Sequence, residues 1–167
     1  MPRRFFFDYN RQHSLSIKVA RVFNTYGPSM HPNDGCVVFK FIVHALRGDP
    51  ITVYRTGAQT RSFCYLDGLI DALVRLMNSP DAVTGPVNPG NPDEFSILEL
   101  AQKVIALTGS VSQVVYNWLP ADDPIQRRPA LTLVHHQLGW QPTMAREKGL
   151  EKTIAYFARL PLLTRTA

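Results

Sequence analysis

The most constraining stretch is residues 17–23, IKVARVF, followed at once by Asn24-Thr25-Tyr26-Gly27-Pro28. Ile17, Val19, Ala20, Val22 and Phe23 make a short, nearly continuous apolar run. That continuity predicts a strand covered on both faces, as in a parallel sheet, rather than one with a wet face. The polar group and Gly-Pro turn signal then lie beyond the strand's carboxyl end. Ligands of open α/β sheets bind at such ends, so Asn24 and Thr25 are binding candidates by position.

Strand and helix patterns alternate through the rest of the chain, which predicts an α/β fold. Residues 4–12, RFFFDYNRQ, read as a helix ending near His13-Ser14, with Phe5, Phe6 and Tyr9 on one face. Residues 28–35 read as a loop, and 37–46 as a helix capped by Asp34 and stopped by Gly48. Residues 51–54 and 61–65 are short strand candidates around a turn at Thr56-Gly57. Residues 67–77 predict an amphipathic helix whose inward stripe is Leu69, Ile70, Leu73, Val74 and Met77. Residues 85–88 read as a brief strand running into a Pro- and Gly-rich turn. Ser96 and Glu99 spell a capping box for a helix that Gly109 closes. Residues 111–118 predict a strand, 120–129 a polar loop and 131–138 a short helix. The last helix, 145–160, turns Leu150, Ile154 and Phe157 inward, and the tail 161–167 is expected to fray.

At 167 residues, 45% hydrophobic and 19% charged, the chain can bury a sizeable core and lacks a disordered composition. No apolar run approaches the roughly 18 residues of a membrane span. Met1-Pro2-Arg3-Arg4 lacks the apolar core of a secretory signal. A cytoplasmic location without membrane association is therefore expected. Cys36 and Cys64 have no metal-ligand spacing and frame no disulfide set, which predicts two free thiols. The net charge of +5 raises nucleic acid as a partner, yet only Arg3-Arg4 and Arg127-Arg128 adjoin. An anionic small molecule needs only two or three placed arginines, and no nucleic-acid partner is expected.

Asn24 can donate to and accept from a sugar or phosphate oxygen; alternatively it is a turn residue bonding its own backbone. Arg61, in the strand-like QTRSF, and Arg127, in a Pro-flanked loop, suit a diphosphate, which wants planar donors of permanent charge. For Arg127 the alternative is a surface ion pair with Asp122 or Asp123. Those two aspartates, side by side in a loop, read as turn residues rather than an acid–base pair. His135 and His136 are adjacent, point to different helix faces and predict no metal site.

The ordered motifs RVFNTYGPSMHPNDG, ITVY-x-x-G-x-QTRSF-x-Y-x-D and DDP-x-QRRP resemble extended short-chain dehydrogenase/reductase enzymes that act on nucleotide sugars. They are most similar to UDP-glucuronate decarboxylases (UDP-xylose synthases), with dTDP-glucose 4,6-dehydratases as near relatives in the NAD-dependent epimerase/dehydratase group. The resemblance implies the C-terminal part of a Rossmann-type enzyme. Residues 1–34 and 66–91 would be the remnant of its NAD-binding domain, and 35–65 and 92–160 its smaller substrate lobe. It implies that Tyr9, Asn24, Tyr54, Arg61 and Arg127 contact a UDP-sugar, UDP-glucuronate or a related one, while Thr25 and His31 lie against NAD. Alignment on FFFDY puts the family's catalytic lysine at or just before Met1. Neither Tyr-x-x-x-Lys nor the Gly-rich NAD turn occurs in the 167 residues. No catalytic residue and no independent activity are therefore expected, and NAD binding by this chain alone is doubtful. The family also implies a dimer, or pairing with a complete paralogue, through the helix ending near Gln12. The alternative is a non-catalytic nucleotide-sugar-binding or oligomerisation module.

Some positions depart from the family pattern. Cys36 stands where the family has a cofactor-contacting arginine, and Phe39-Lys40 replace Ser-Asn, a change expected to make a pocket wall bulky and cationic. Arg55-Thr56 replace Gly-Asp in a turn where glycine would permit positive φ. Gly68 and Ala130 stand in place of aspartates.

Overall fold

The computed structural model describes residues 2–31, 34–118 and 126–160, with the backbone alone for 2–5, 126 and 127. Helix α1 (Pro2–His13) ends at Ser14, whose φ of 52° stops it. The strand expected at 17–23 is reduced to a single bridge, Ala20 to Val87, and strand β1 is only Thr25–Tyr26. Val19 and Arg21 do exchange main-chain hydrogen bonds of 2.9–3.0 Å with Thr84 and Val87. Among the described residues, no such bond joins Lys18, Ala20 or Val22 to a second strand. Val22 is accordingly 55% exposed. The apolar run describes a strand with neighbours on both sides, and among the described residues only one side is filled.

Helix α2 (Val37–Arg47) closes on Gly48 in the left-handed region, as its sequence predicts. Its N-cap is Cys36 rather than Asp34. The Asp34 carboxylate instead accepts the Cys36 N–H at 2.8 Å, holding the turn before the helix. Strand β2 (Ile51–Tyr54) follows, then β3 (Thr60–Ser62) and β4 (Cys64–Tyr65). The single strand expected at 61–65 thus breaks at Phe63, whose 3%-exposed ring lies between Tyr26 and Phe95.

In α3 (Leu66–Met77) the buried residues are Leu69, Ala72 and Leu76, whereas Ile70, Val74 and Met77 are 49%, 48% and 75% exposed. The helical period is as expected but the inward face is rotated, because a small alanine marks it. Residues 85–88 contribute only the bridge at Val87. Strand β5 (Glu94–Ser96), unanticipated, leads into α4 (Ile97–Thr108). Strand β6 (Val114–Asn117), β7 (Gln126–Arg127), α5 (Thr132–Leu138) and α6 (Arg146–Phe157) complete the order. Strand β7 lies inside the stretch expected to be a loop. Pro32, Asn33, Asp122, Asp123 and the tail 161–167 lie outside the described residues.

Strand β1 pairs parallel with β4, and β2 parallel with β6. Strand β3 sits between antiparallel β5 and parallel β7. One core gathers Tyr26, α2, β2, Phe63, Phe95, α4 and α6, with Phe39 stacked on Phe157 at 5.3 Å between ring centres. Fully burying side chains of this kind contributes about 1.5–3 kcal/mol each. A second core joins Cys64, the inner face of α3 and Val87 to Val134 and Trp140. No helix among the described residues is long and apolar enough to cross a membrane.

Candidate functional site

The pleat of β2 builds one wall of the site. Ile51 and Val53 are fully buried, so the alternation turns Thr52 and Tyr54, both half-buried, to the other face. There they line a cavity of about 580 Å³, within the range of small-molecule sites. Asn24 and Thr25 enter it where β1 begins, and the turn at 34–36 brings Asp34 and Cys36. Arg61 on β3 and Gln59 just before it also line it, with Phe63 and Ile97 as apolar lining. Lys40 and Phe41, on α2, close the remaining side.

Arg61 is 7% exposed, and its Nη1 donates to the Thr60 carbonyl at 2.8 Å. A guanidinium keeps its charge even at such depth, and this one reaches the cavity wall. The register of β3 and β7 puts Arg127 directly beside Arg61 in the sheet. The Thr25 hydroxyl donates to the Phe23 carbonyl at 2.9 Å. The Cys36 Sγ lies 3.8 Å from the Thr25 carbonyl, and burial pushes its thiol above the ordinary range, so it stays neutral at pH 7.

Of the residues singled out by sequence, Asn24, Thr25, Tyr54 and Arg61 line this one cavity. Tyr9 lies elsewhere, on α1, 44% exposed and with its ring 4.9 Å from that of His13. His31 is exposed in the loop, where its carbonyl accepts the Asp34 N–H, and is not part of the lining. Phe39, expected in a pocket wall, is fully buried in the first core instead. Arg55 occupies the left-handed region, with φ 52°, in the turn where glycine was the expected type. Gly68 packs its α-carbon beside Trp140, where an added methyl would find ordinary contact. Sequence reasoning missed Thr52 and Gln59. Thr52 was legible from its place between Ile51 and Val53, whereas Gln59 arrives through the turn after β2 and carries no periodic signal. A second cavity, of about 700 Å³, lies between Asn91-Pro92-Asp93 and α5, with His135 and His136 on its rim.

A sequence model of the NAD dependent epimerase/dehydratase family matches residues 3–90. The chain is 48% identical over 144 residues to UDP-glucuronic acid decarboxylase 5 of Arabidopsis thaliana, a match covering 86% of this chain and 42% of that one. The UDP-glucose 4-epimerase of Thermotoga maritima, solved with UDP-glucose, superimposes with a TM-score of 0.86 at 26% identity. That match covers 92% of this chain and 50% of the other. A UDP-glucuronic acid 4-epimerase from Bacillus cereus, solved with UDP-glucuronic acid and NAD, gives 0.84 at 24% identity over 92% and 49% of the two chains. This last likeness bears on the fold alone, which is mixed α/β with parallel strands as in Rossmann-type epimerases. The chain spans less than half the length of the curated relatives it matches and about half that of these structures.

Proposed function

Because the chain belongs to the NAD dependent epimerase/dehydratase family, we propose that its cavity is the nucleotide-sugar side of a UDP-glucuronate decarboxylase-type site. The observation that carries this is the convergence of Asn24, Tyr54 and Arg61 on one cavity, with Arg127 in register beside Arg61. On this reading the Tyr54 ring and its turn receive the uracil. Arg61 and Arg127 take the diphosphate by charge-assisted hydrogen bonds, and the Asn24 amide meets the sugar. Residues 1–34 and 66–91 then belong with NAD binding, and 35–65 and 92–160 with the nucleotide sugar. The first core supports that division, since it is built mainly from the latter segments. The second core crosses it, because Val134 and Trp140 pack with α3.

NAD fits these residues poorly. Thr25 donates its hydroxyl proton to Phe23 and has only its oxygen left to accept, the neutral Cys36 thiol occupies the adjoining wall, and His31 lies off the cavity. No Gly-rich turn and no Tyr-x-x-x-Lys occurs in the 167 residues. No hydride step is therefore assigned to them, and the polypeptide on its own is expected to release no carbon dioxide from UDP-glucuronate. Calorimetry with UDP and NAD tests the reading. UDP should bind more tightly than NAD, and Arg61→Ala should weaken UDP about tenfold or more, the usual loss for a charged donor. Tighter binding of NAD, or an Arg61→Ala protein that holds UDP as well as the wild type, refutes the assignment.

A second reading is favoured by apolar faces left open. Phe6 and Tyr9 on α1 are 43% and 44% exposed, and Ile70, Val74 and Met77 line the outer side of α3. A second copy of this chain would cover such surface. Light scattering at micromolar concentration should then give a dimer or larger species; a monomer throughout removes the reading, and mixing with a complete relative tests hetero-pairing.

A further inference from the structure

Lys40 is the fifth residue of a turn that starts at Cys36, its N–H bonding the Cys36 carbonyl at 3.1 Å. Residues four apart share one helix face, and a long side chain on a helix leans toward the N-terminal turn. Both Cys36 and Lys40 accordingly line the same cavity as Arg61 and Tyr54. The chain has five lysines. Lys18 donates to the Ser79 hydroxyl at 2.9 Å, Lys103 pairs with Glu147, Lys148 with Glu151 at 3.7 Å, and Lys152 lies 5.8 Å from the centre of the Tyr65 ring. Among the described residues Lys40 has no ion pair, hydrogen bond or ring contact of this kind. Among the described residues the single carboxylate on the cavity wall is Asp34, which already accepts the Cys36 N–H at 2.8 Å.

We propose that Lys40 is a further cation of this cavity, contributed by α2, and that together with the buried Arg61 it selects a ligand with an extended anion, a nucleoside diphosphate rather than a nucleoside. The inference rests on the nucleotide-sugar reading above and adds to its arginines a further group that favours charged over uncharged ligands. Arg61 is buried and fixed by its bond to Thr60, whereas Lys40 is exposed on a flexible stem. The buried fork orients the anion, and the exposed ammonium reaches its outer oxygens, a division that suits an ion longer than one phosphate. Because Lys40 is exposed, water and salt weaken its contribution relative to that of Arg61.

The test is calorimetric titration of the full chain and of Lys40→Met and Lys40→Arg with UDP and with uridine, at low and moderate salt. Lys40→Met should weaken UDP about three- to tenfold, leave uridine unchanged, and flatten the salt dependence of UDP binding. Lys40→Arg, which keeps the charge, should bind UDP within about twofold of the wild type. Equal UDP affinity in wild type and Lys40→Met overturns the inference while leaving the site standing. An equal loss for uridine also overturns it, since Lys40 would then act through the cavity's shape. A wild-type chain that binds no UDP overturns the site and the inference together.

Discussion

Arg55 holds φ 52° in the turn after β2, a conformation that disfavours any residue with a Cβ by roughly 1–2 kcal/mol. Its N–H still bonds the Asn117 carbonyl at 2.8 Å, so the turn survives by tying β2 to β6. Arg55→Gly removes the steric cost but adds freedom to the unfolded chain. The net expectation is a gain of about 0.5–1 kcal/mol, read from the urea midpoint; a loss would mean the arginine side chain itself stabilises the turn. Two buried acids make a prediction of opposite sign. Burial pushes the Cys64 thiol to about 11 from 9.0 and raises the Tyr26 phenol in the same direction. Between about pH 9 and pH 11 the unfolded chain sheds the Cys64 proton first, so stability is full below pH 9 and falls above it. At pH 10.5 the thiol alone should lower stability on the order of 2 kcal/mol relative to pH 8. Cys64→Ala should flatten that slope, and a wild-type midpoint that does not move between the two pH values contradicts the assignment.

Helix α4 is the element most completely specified by its own sequence. The Glu99 N–H donates to Ser96 Oγ at 3.1 Å, the Ser96 N–H donates to Glu99 Oε2 at 2.8 Å, and Gly109 closes the other end at φ 62°. Ser96→Ala should lower stability by about 1 kcal/mol in thermal unfolding. The Ser96 backbone N–H, and then its hydroxyl, hold the Glu99 carboxyl below its ordinary 4.5. The Glu99 share of the cap is therefore present above that pH and fades as pH falls through the lowered value, so the penalty of Glu99→Ala should shrink in acid. Helices with such punctuation were legible: α2 from Gly48, α4 from both ends, α6 from Leu150, Ile154 and Phe157. Strand β5 was not, because Glu94-Phe95-Ser96 holds one apolar residue and forms only where β3 offers an edge. The inner face of α3 was misread because Ala72, not a large residue, sits at its centre. In the site, Thr52 follows from the two-residue period of β2, and Asn24 follows from its place beside an apolar run. Cys36 and Gln59 are brought in by turns whose geometry no local pattern encodes, and Phe39 differs from its neighbour Lys40 only by which side of α2 the first core occupies.

At the scale of the whole molecule, two cores share a chain whose apolar run 17–23 is paired on one side among the described residues and whose outer α3 face is open. The second core is the smaller, and its largest member is Trp140, 1% exposed. The other tryptophan, Trp118, follows β6 and is 90% exposed. The protein therefore carries one dry and one wet indole, and its ultraviolet emission is the sum of a blue component and a red one. Iodide should quench the red component and spare the blue, and Trp118→Phe should leave a spectrum that iodide barely touches. Quenching of both components alike would mean that the Trp140 indole is reached by solvent. On denaturation the wavelength shift comes chiefly from Trp140, so a fluorescence melt reads the opening of the core where α3 and α5 meet.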